Sequence, residues 1–180
     1  DVVPSSPARG LQLAAGAARA RRPWLLFLNP DTVLDHGWER EASRFMEKVD
    51  KDPSRLAAGV FSLALDDEGF APRFLEGLVR LRFAILRLPS GAQGLLIPRR
   101  LYDAIGGHRG LAAGEDIDLA RRLGRRRIKL LRARAVSSAR SYRQDGYLRR
   151  ALSDQLNLVR HAIHAPGDET QKLRAERADP

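Results

Sequence analysis

The stretch Trp24-Leu25-Leu26-Phe27-Leu28-Asn29-Pro30-Asp31-Thr32 decides how the rest of the chain is read. An unbroken apolar run between Pro23 and the Asn29-Pro30 tip is too short for a free-standing helix. It reads as a fully buried strand of a parallel sheet. In an open α/β sheet, ligands sit just beyond the carboxyl ends of the strands. Asn29 and Asp31 lie at that end, so both side chains are able to reach one bound ion or phosphate. The same residues equally suit a plain turn in which Asp31 caps the next helix.

Outward from this run, the chain alternates between helical and extended patterns. Residues 7–20 read as a helix with Ser6 as N-cap, Pro7 at the first position and a narrow inward stripe of Leu11, Ala14, Ala15 and Ala18. Residues 36–51 carry Trp38, Ala42, Phe45, Met46 and Val49 at helical spacing. Residues 56–65 alternate as a strand, and Asp66-Asp67-Glu68-Gly69 forms an acidic turn. Residues 71–88 read as a long amphipathic helix whose inward stripe is Phe74, Leu78, Leu81, Ile85 and Leu88. Arg73, Arg80 and Arg87, seven apart, line one edge of it. That edge suits a solvated face or a surface that meets anionic headgroups.

The second half follows the same alternation. A Gly-rich loop at 89–94 enters a strand at 95–97, followed by a short helix at 99–105 and a mobile connection at 106–114. Residues 115–125 form a helix with Ile117, Ala120 and Leu123 inward, 128–136 a strand, 137–146 a loop and 147–164 a final amphipathic helix. Residues 166–180 are charged and poor in apolar side chains, and read as a disordered tail. The pattern is that of an α/β domain over residues 1–165.

Composition narrows the partners. The chain has 180 residues, no cysteine and a net charge of +10, which favours anionic partners such as nucleotides, phosphates or an anionic membrane surface. Without cysteine, disulfides and thiolate metal sites are excluded, and the four histidines have no zinc spacing. No apolar run reaches the roughly 18 residues of a membrane span. No signal peptide opens the sequence, so the expected compartment is the cytoplasm, with a peripheral membrane contact open to it. The basic residues are scattered, and no nucleic-acid-binding motif is present.

Three separated signals then fall in order. They are the Asn-Pro-Asp-Thr tip; Gly91-Ala92-Gln93-Gly94 before a strand and Arg99-Arg100-Leu101-Tyr102-Asp103; and Gly114-Glu115-Asp116-Ile117-Asp118-Leu119. In this order the chain resembles the family-2 glycosyltransferases of the GT-A fold, most closely the branch found beside radical-SAM and selenium-related proteins. Arg9-Gly10-Leu11-Gln12 and Ser138-Ala139-Arg140 also fit that branch. The resemblance implies a Rossmann-like, three-layer mixed sheet with flanking helices. It implies inverting transfer of a sugar from a nucleoside-diphosphate sugar to an acceptor hydroxyl, assisted by Mg or Mn.

Carried over residue by residue, Asp31 matches the family's last metal-binding aspartate, and Asn29 replaces the first aspartate of the Asp-X-Asp form. Asp116 matches the general base, with Glu115 orienting it or the acceptor; two carboxylates at a helix start also simply suit the helix dipole. Gly91 to Gly94 would let the backbone approach the donor sugar, with Gln93 hydrogen-bonding it, or make an ordinary Gly-rich turn into the strand. Arg140 and Arg143 would clamp the diphosphate, or form a solvated basic loop. His108 would reach the acceptor, or be exposed. The family normally carries a nucleotide-binding βαβ portion before the helix that here starts near Pro7, so the resemblance covers an N-terminally incomplete domain. That absence would turn the strand at Trp24 into a sheet edge. Two rival expectations are an inactive glycosyltransferase remnant and a basic module binding nucleic acid or a membrane surface.

Overall fold

A computed structural model of the chain describes residues 2–5, 7–111, 113–147, 149 and 153. It is a mixed α/β fold. Its strands are β1 (Trp24–Phe27), β2 (Thr32–Leu34), β3 (Ala58–Leu65), β4 (Leu95–Pro98) and β5 (Ile128–Ser137). Its α-helices are α1 (Arg9–Arg19), α2 (Trp38–Lys51), α3 (Phe70–Leu86), α4 (Arg99–Ala104), α5 (Glu115–Leu123) and α6 (Arg140–Asp145). The expected final helix and the charged tail lie almost wholly outside the described residues.

The strand order is β1-β4-β3-β5-β2. Only β3 and β5 run parallel; β1–β4, β3–β4 and β2–β5 are antiparallel. The Trp24 strand is therefore not a buried strand of a parallel sheet. It lies at an edge, antiparallel to β4, and only Leu25 of its four residues is fully buried. Its apolar run reflects helices on both faces rather than strands on both sides. Leu25 and Phe27 face a core with Ala17, Ile97, Leu101 and Leu119, while Trp24 and Leu26 face one with Ala42, Phe61 and Leu96. The alternation read in 58–65 fits the same division, with Ala58 and Val60 on the first side and Phe61 on the second.

Helices α1, α4 and α5 cover the first face, and α2 covers the second with Trp38, Ala42, Phe45 and Met46. A third cluster joins Leu75 and Val79 of α3 to Leu65 and Ala139. Between Val60 and Ser62 the register of β3 on β5 shifts, leaving extra residues on β5. The Glu41 carboxylate of α2 accepts the backbone N–H groups of Arg132 (2.8 Å) and Ala133 (2.5 Å), which the bulge takes out of the ladder.

The readings of two helices need correction. Helix α1 starts at Arg9 with Ala8 as N-cap, and Ser6 lies outside the described residues. Its buried positions are Gly10 and Ala17, whereas Leu11 faces out. Gly10 is buried because an added Cβ there would collide with the Arg109 carbonyl. Helix α3 turns the opposite way from expectation: Pro72, Leu75, Val79 and Phe83 are buried, while Phe74, Leu78, Leu81 and Ile85 are exposed. This helix is apolar on two sides, so spacing alone could not say which side the sheet takes. Helix α6 falls within residues read as a loop, and the three-residue β2 was not anticipated; both are too short for a periodic signal.

Candidate functional site

The carboxyl end of β1, the start of α1 and the start of α5 converge. Gly114 in the left-handed region (φ 77°, ψ 15°) turns the chain into α5, so Glu115 and Asp116 occupy its first turn beside the positive end of the helix dipole. Glu115 is buried. The Arg9 guanidinium lies between them: Nε is 2.6 Å from Glu115 Oε1 and Nη2 is 3.9 Å from Asp116 Oδ2. The Nε–Glu115 approach is a charge contact whose N–H is not aligned for a hydrogen bond. Nη2 donates to Asn29 Oδ1. One cation thus ties together Asn29, Glu115 and Asp116, residues far apart in sequence.

Gly91 closes the other side of Asp116. An added Cβ there would run into Asp116 Oδ2 and crowd the Arg9 guanidinium. Packing that removes water, with the Glu115 charge alongside, pushes the Asp116 carboxyl up to about 6; Arg9 opposes them more weakly. About 30% of the Asp116 side chain remains open to solvent, so a proton has a route to it.

His108 borders the same cavity and is buried, not exposed. Its ring meets Phe27 edge-on at 4.8 Å, and the Tyr102 hydroxyl lies 3.1 Å from Nδ1 while accepting the His108 backbone N–H at 2.9 Å. The direction of the hydroxyl–Nδ1 hydrogen bond is set by the tautomer of the imidazole. Burial, with Arg122 and Arg9 nearby, pushes its pKa down to about 4. The 106–110 loop is held from α5: Asp118 pairs with Arg122 at 2.5 Å and Arg109 at 3.4 Å, and Arg122 donates to the Ile105 carbonyl at 2.5 Å. The cavity itself is about 30 Å³, room for a water or two and far short of a sugar nucleotide.

Of the other expected site residues, Asn29 and Gly94 also line this cavity, and the rest are placed elsewhere. Asn29 to Thr32 forms a hydrogen-bonded turn, with the Thr32 N–H donating to the Asn29 carbonyl at 3.1 Å. Asp31 is exposed at its tip and does not cap α2, whose N-cap is Gly37. The Asp31 carbonyl accepts the Ser138 N–H, which brings the tip beside the approach to Arg140. Arg140 is exposed at the start of α6. Arg143 pairs with Asp66 (3.5 Å) and Asp67 (3.3 Å) of the acidic turn. Gln93 is buried and its amide serves the fold: Nε2 donates to the Phe61 carbonyl at 3.0 Å, and Oε1 accepts the Ser90 N–H at 3.0 Å. Gly94 abuts the Leu28 side chain.

Among the described residues, no three His, Asp or Glu side chains form a metal-binding group. Asp31 alone, exposed on its turn, suits the mode in which one carboxylate holds Mg or Mn and substrate phosphates and waters complete the shell. Arg9 is the site residue that sequence reasoning left without a role, and Gly91, expected to let the backbone approach a donor sugar, instead abuts Asp116. The Arg9-Gly10-Leu11-Gln12 helix start was the available signal for Arg9. No protein-family model matches the chain, and no curated protein is significantly similar to it.

Proposed function

We propose that the chain is a glycosyltransferase of GT-A type that moves a sugar from a nucleoside-diphosphate sugar to an acceptor hydroxyl with inversion. The observation that carries the reading is the Asp116 carboxyl in the first turn of α5, raised to about 6 and backed by Glu115, Arg9 and Gly91. Sites that perform acid–base chemistry are where such perturbed groups collect.

In this reading Asp116 takes the proton of the acceptor O–H as that oxygen bonds to the anomeric carbon. The bond from that carbon to the diphosphate oxygen breaks, and its electron pair leaves with the diphosphate. A divalent ion held by Asp31 would neutralise the charge on that leaving group, while Asn29, whose Oδ1 accepts from Arg9, is committed to the Arg9 cluster. Glu115, fixed by Arg9, orients Asp116 and keeps negative charge beside it, which raises its basicity. Arg140 stands exposed near the Asp31 tip as the cation able to reach the diphosphate. Arg143 is committed to Asp66 and Asp67 and Gln93 to the loop, so neither is given a donor-binding role here.

A second reading, a remnant unable to bind donor, is favoured by the small cavity of about 30 Å³. Calorimetric titration of the full chain with UDP- and GDP-sugars in the presence of manganese separates the two. Saturable heat with one donor, weakened in Asp31→Ala, is the outcome expected for the enzyme. No heat with any donor supports the remnant.

A further inference from the structure

Helix α3 leaves one whole side apolar and open. Phe70 (83% exposed), Phe74 (49%), Leu78 (37%), Leu81 (57%) and Ile85 (62%) succeed one another on a single stripe about 22 Å long. The opposite side of the helix, with Leu75, Val79 and Phe83, already packs on the domain. The stripe is thus not the face that holds the fold together. Phe70 and Phe74 stack on each other at its start, with centroids 5.7 Å apart.

The flank of the stripe is basic. On the side of Arg73 and Arg80 lies a groove of about 650 Å³, to which β5 adds Arg132 and Arg134, the latter paired with Asp35 at 3.2 Å. The one carboxylate lining it, Glu76, is bound to Arg73 at 2.8 Å and accepts the Leu65 N–H. At the far end Arg87 stands over the Phe83 ring. An open apolar stripe beside exposed arginines is the arrangement of a helix lying in the plane of a lipid interface. The net charge of +10 adds long-range attraction of the same sign. No helix among the described residues is long and apolar enough to cross a membrane, so the contact is with the surface.

We propose that α3 is a docking surface for an anionic lipid bilayer. The stripe Phe70–Ile85 enters the acyl boundary, and the arginines of the adjoining groove meet the phosphate headgroups. The proposal does not depend on the glycosyl-transfer reading. Both would gain from one feature of the chain: only residues 87–90 separate the end of α3 from Gly91, which abuts Asp116.

The experiment uses the full chain with vesicles of phosphatidylcholine alone and of phosphatidylcholine with phosphatidylserine. Binding to the anionic vesicles, falling with added salt, is expected. Leu81→Glu with Ile85→Glu should lower it about tenfold or more without changing the circular dichroism spectrum. Because the chain has no cysteine, an environment-sensitive dye on Leu81→Cys reports the same surface if the double variant folds poorly. Its emission should shift to the blue on adding anionic vesicles. Three outcomes overturn the proposal: no vesicle binding; vesicle binding that the double variant retains; or a dye already shielded in buffer. The last would mean that a second copy covers the stripe, or that residues 148–163, with apolar side chains at the same spacing, do so.

Discussion

Asp116 is the residue whose chemistry can be read apart from any substrate. Its folded pKa lies near 6, above the ordinary 3.8. In the window from about 4 to about 6 the folded chain binds more protons here than the unfolded one. The contribution of Asp116 therefore falls as pH rises through that window and stays low above it. Asp116→Asn removes the penalised charge. Thermal melts should place this variant above the parent at pH 7, by about 1–2 kcal/mol, and nearer to it at pH 4. A variant less stable than the parent at pH 7 would mean that Arg9 outweighs burial and Glu115. His108 has the opposite sign. Held near 4 against an ordinary 6.5, it contributes stability above pH 6.5 that is lost as pH falls toward 4. Gly91→Ala probes the same cluster sterically. Its Cβ should displace Asp116 and Arg9 at about 1–3 kcal/mol, measured by denaturant unfolding.

At the scale of elements, α1 holds two glycines with opposite fates. Gly10 lies against the Arg109 carbonyl, and Gly16 has open space around it. Gly16→Ala should stabilise by about 0.5–1 kcal/mol through helix propensity. Gly10→Ala should destabilise by more than that and loosen the 106–110 loop; matched unfolding curves decide the pair. The Glu41 clamp on the β5 bulge makes a comparable prediction, with Glu41→Ala costing about 1–3 kcal/mol because two N–H groups lose their acceptor. Helices and strands with one clear apolar period were legible in sequence: α2, β3 and α5 fall close to where their patterns put them. The side that α3 buries was not, since Leu75, Val79 and Phe83 are as regularly spaced as Phe74, Leu78 and Ile85. The Glu115-Asp116 pair was visible from its helix start. Arg9 was not, because its role arises only when α1 and α5 come together.

For the whole molecule, the edge position of β1 matters most. Among the described residues, the antiparallel pairing of Trp24–Phe27 with Leu95–Pro98 leaves one side of β1 without a neighbouring strand. Amides on that side should exchange with solvent far faster than those of β3, which is paired on both sides by β4 and β5. Hydrogen exchange followed by NMR measures this; equal protection in β1 and β3 would mean that another segment or copy completes the sheet. The same edge carries Asn29 at its end, so the candidate site belongs to a margin of the domain.

The central claim is that Asp116 removes the acceptor proton. Its most direct test is the pH dependence of sugar transfer by the parent chain and by Asp116→Asn, with whichever donor gives binding heat. The parent rate should rise through about pH 6 and level off above it, while Asp116→Asn should bind donor and transfer nothing at any pH. Transfer by Asp116→Asn at the parent rate, or a parent rate flat from pH 5 to pH 8, would contradict the account.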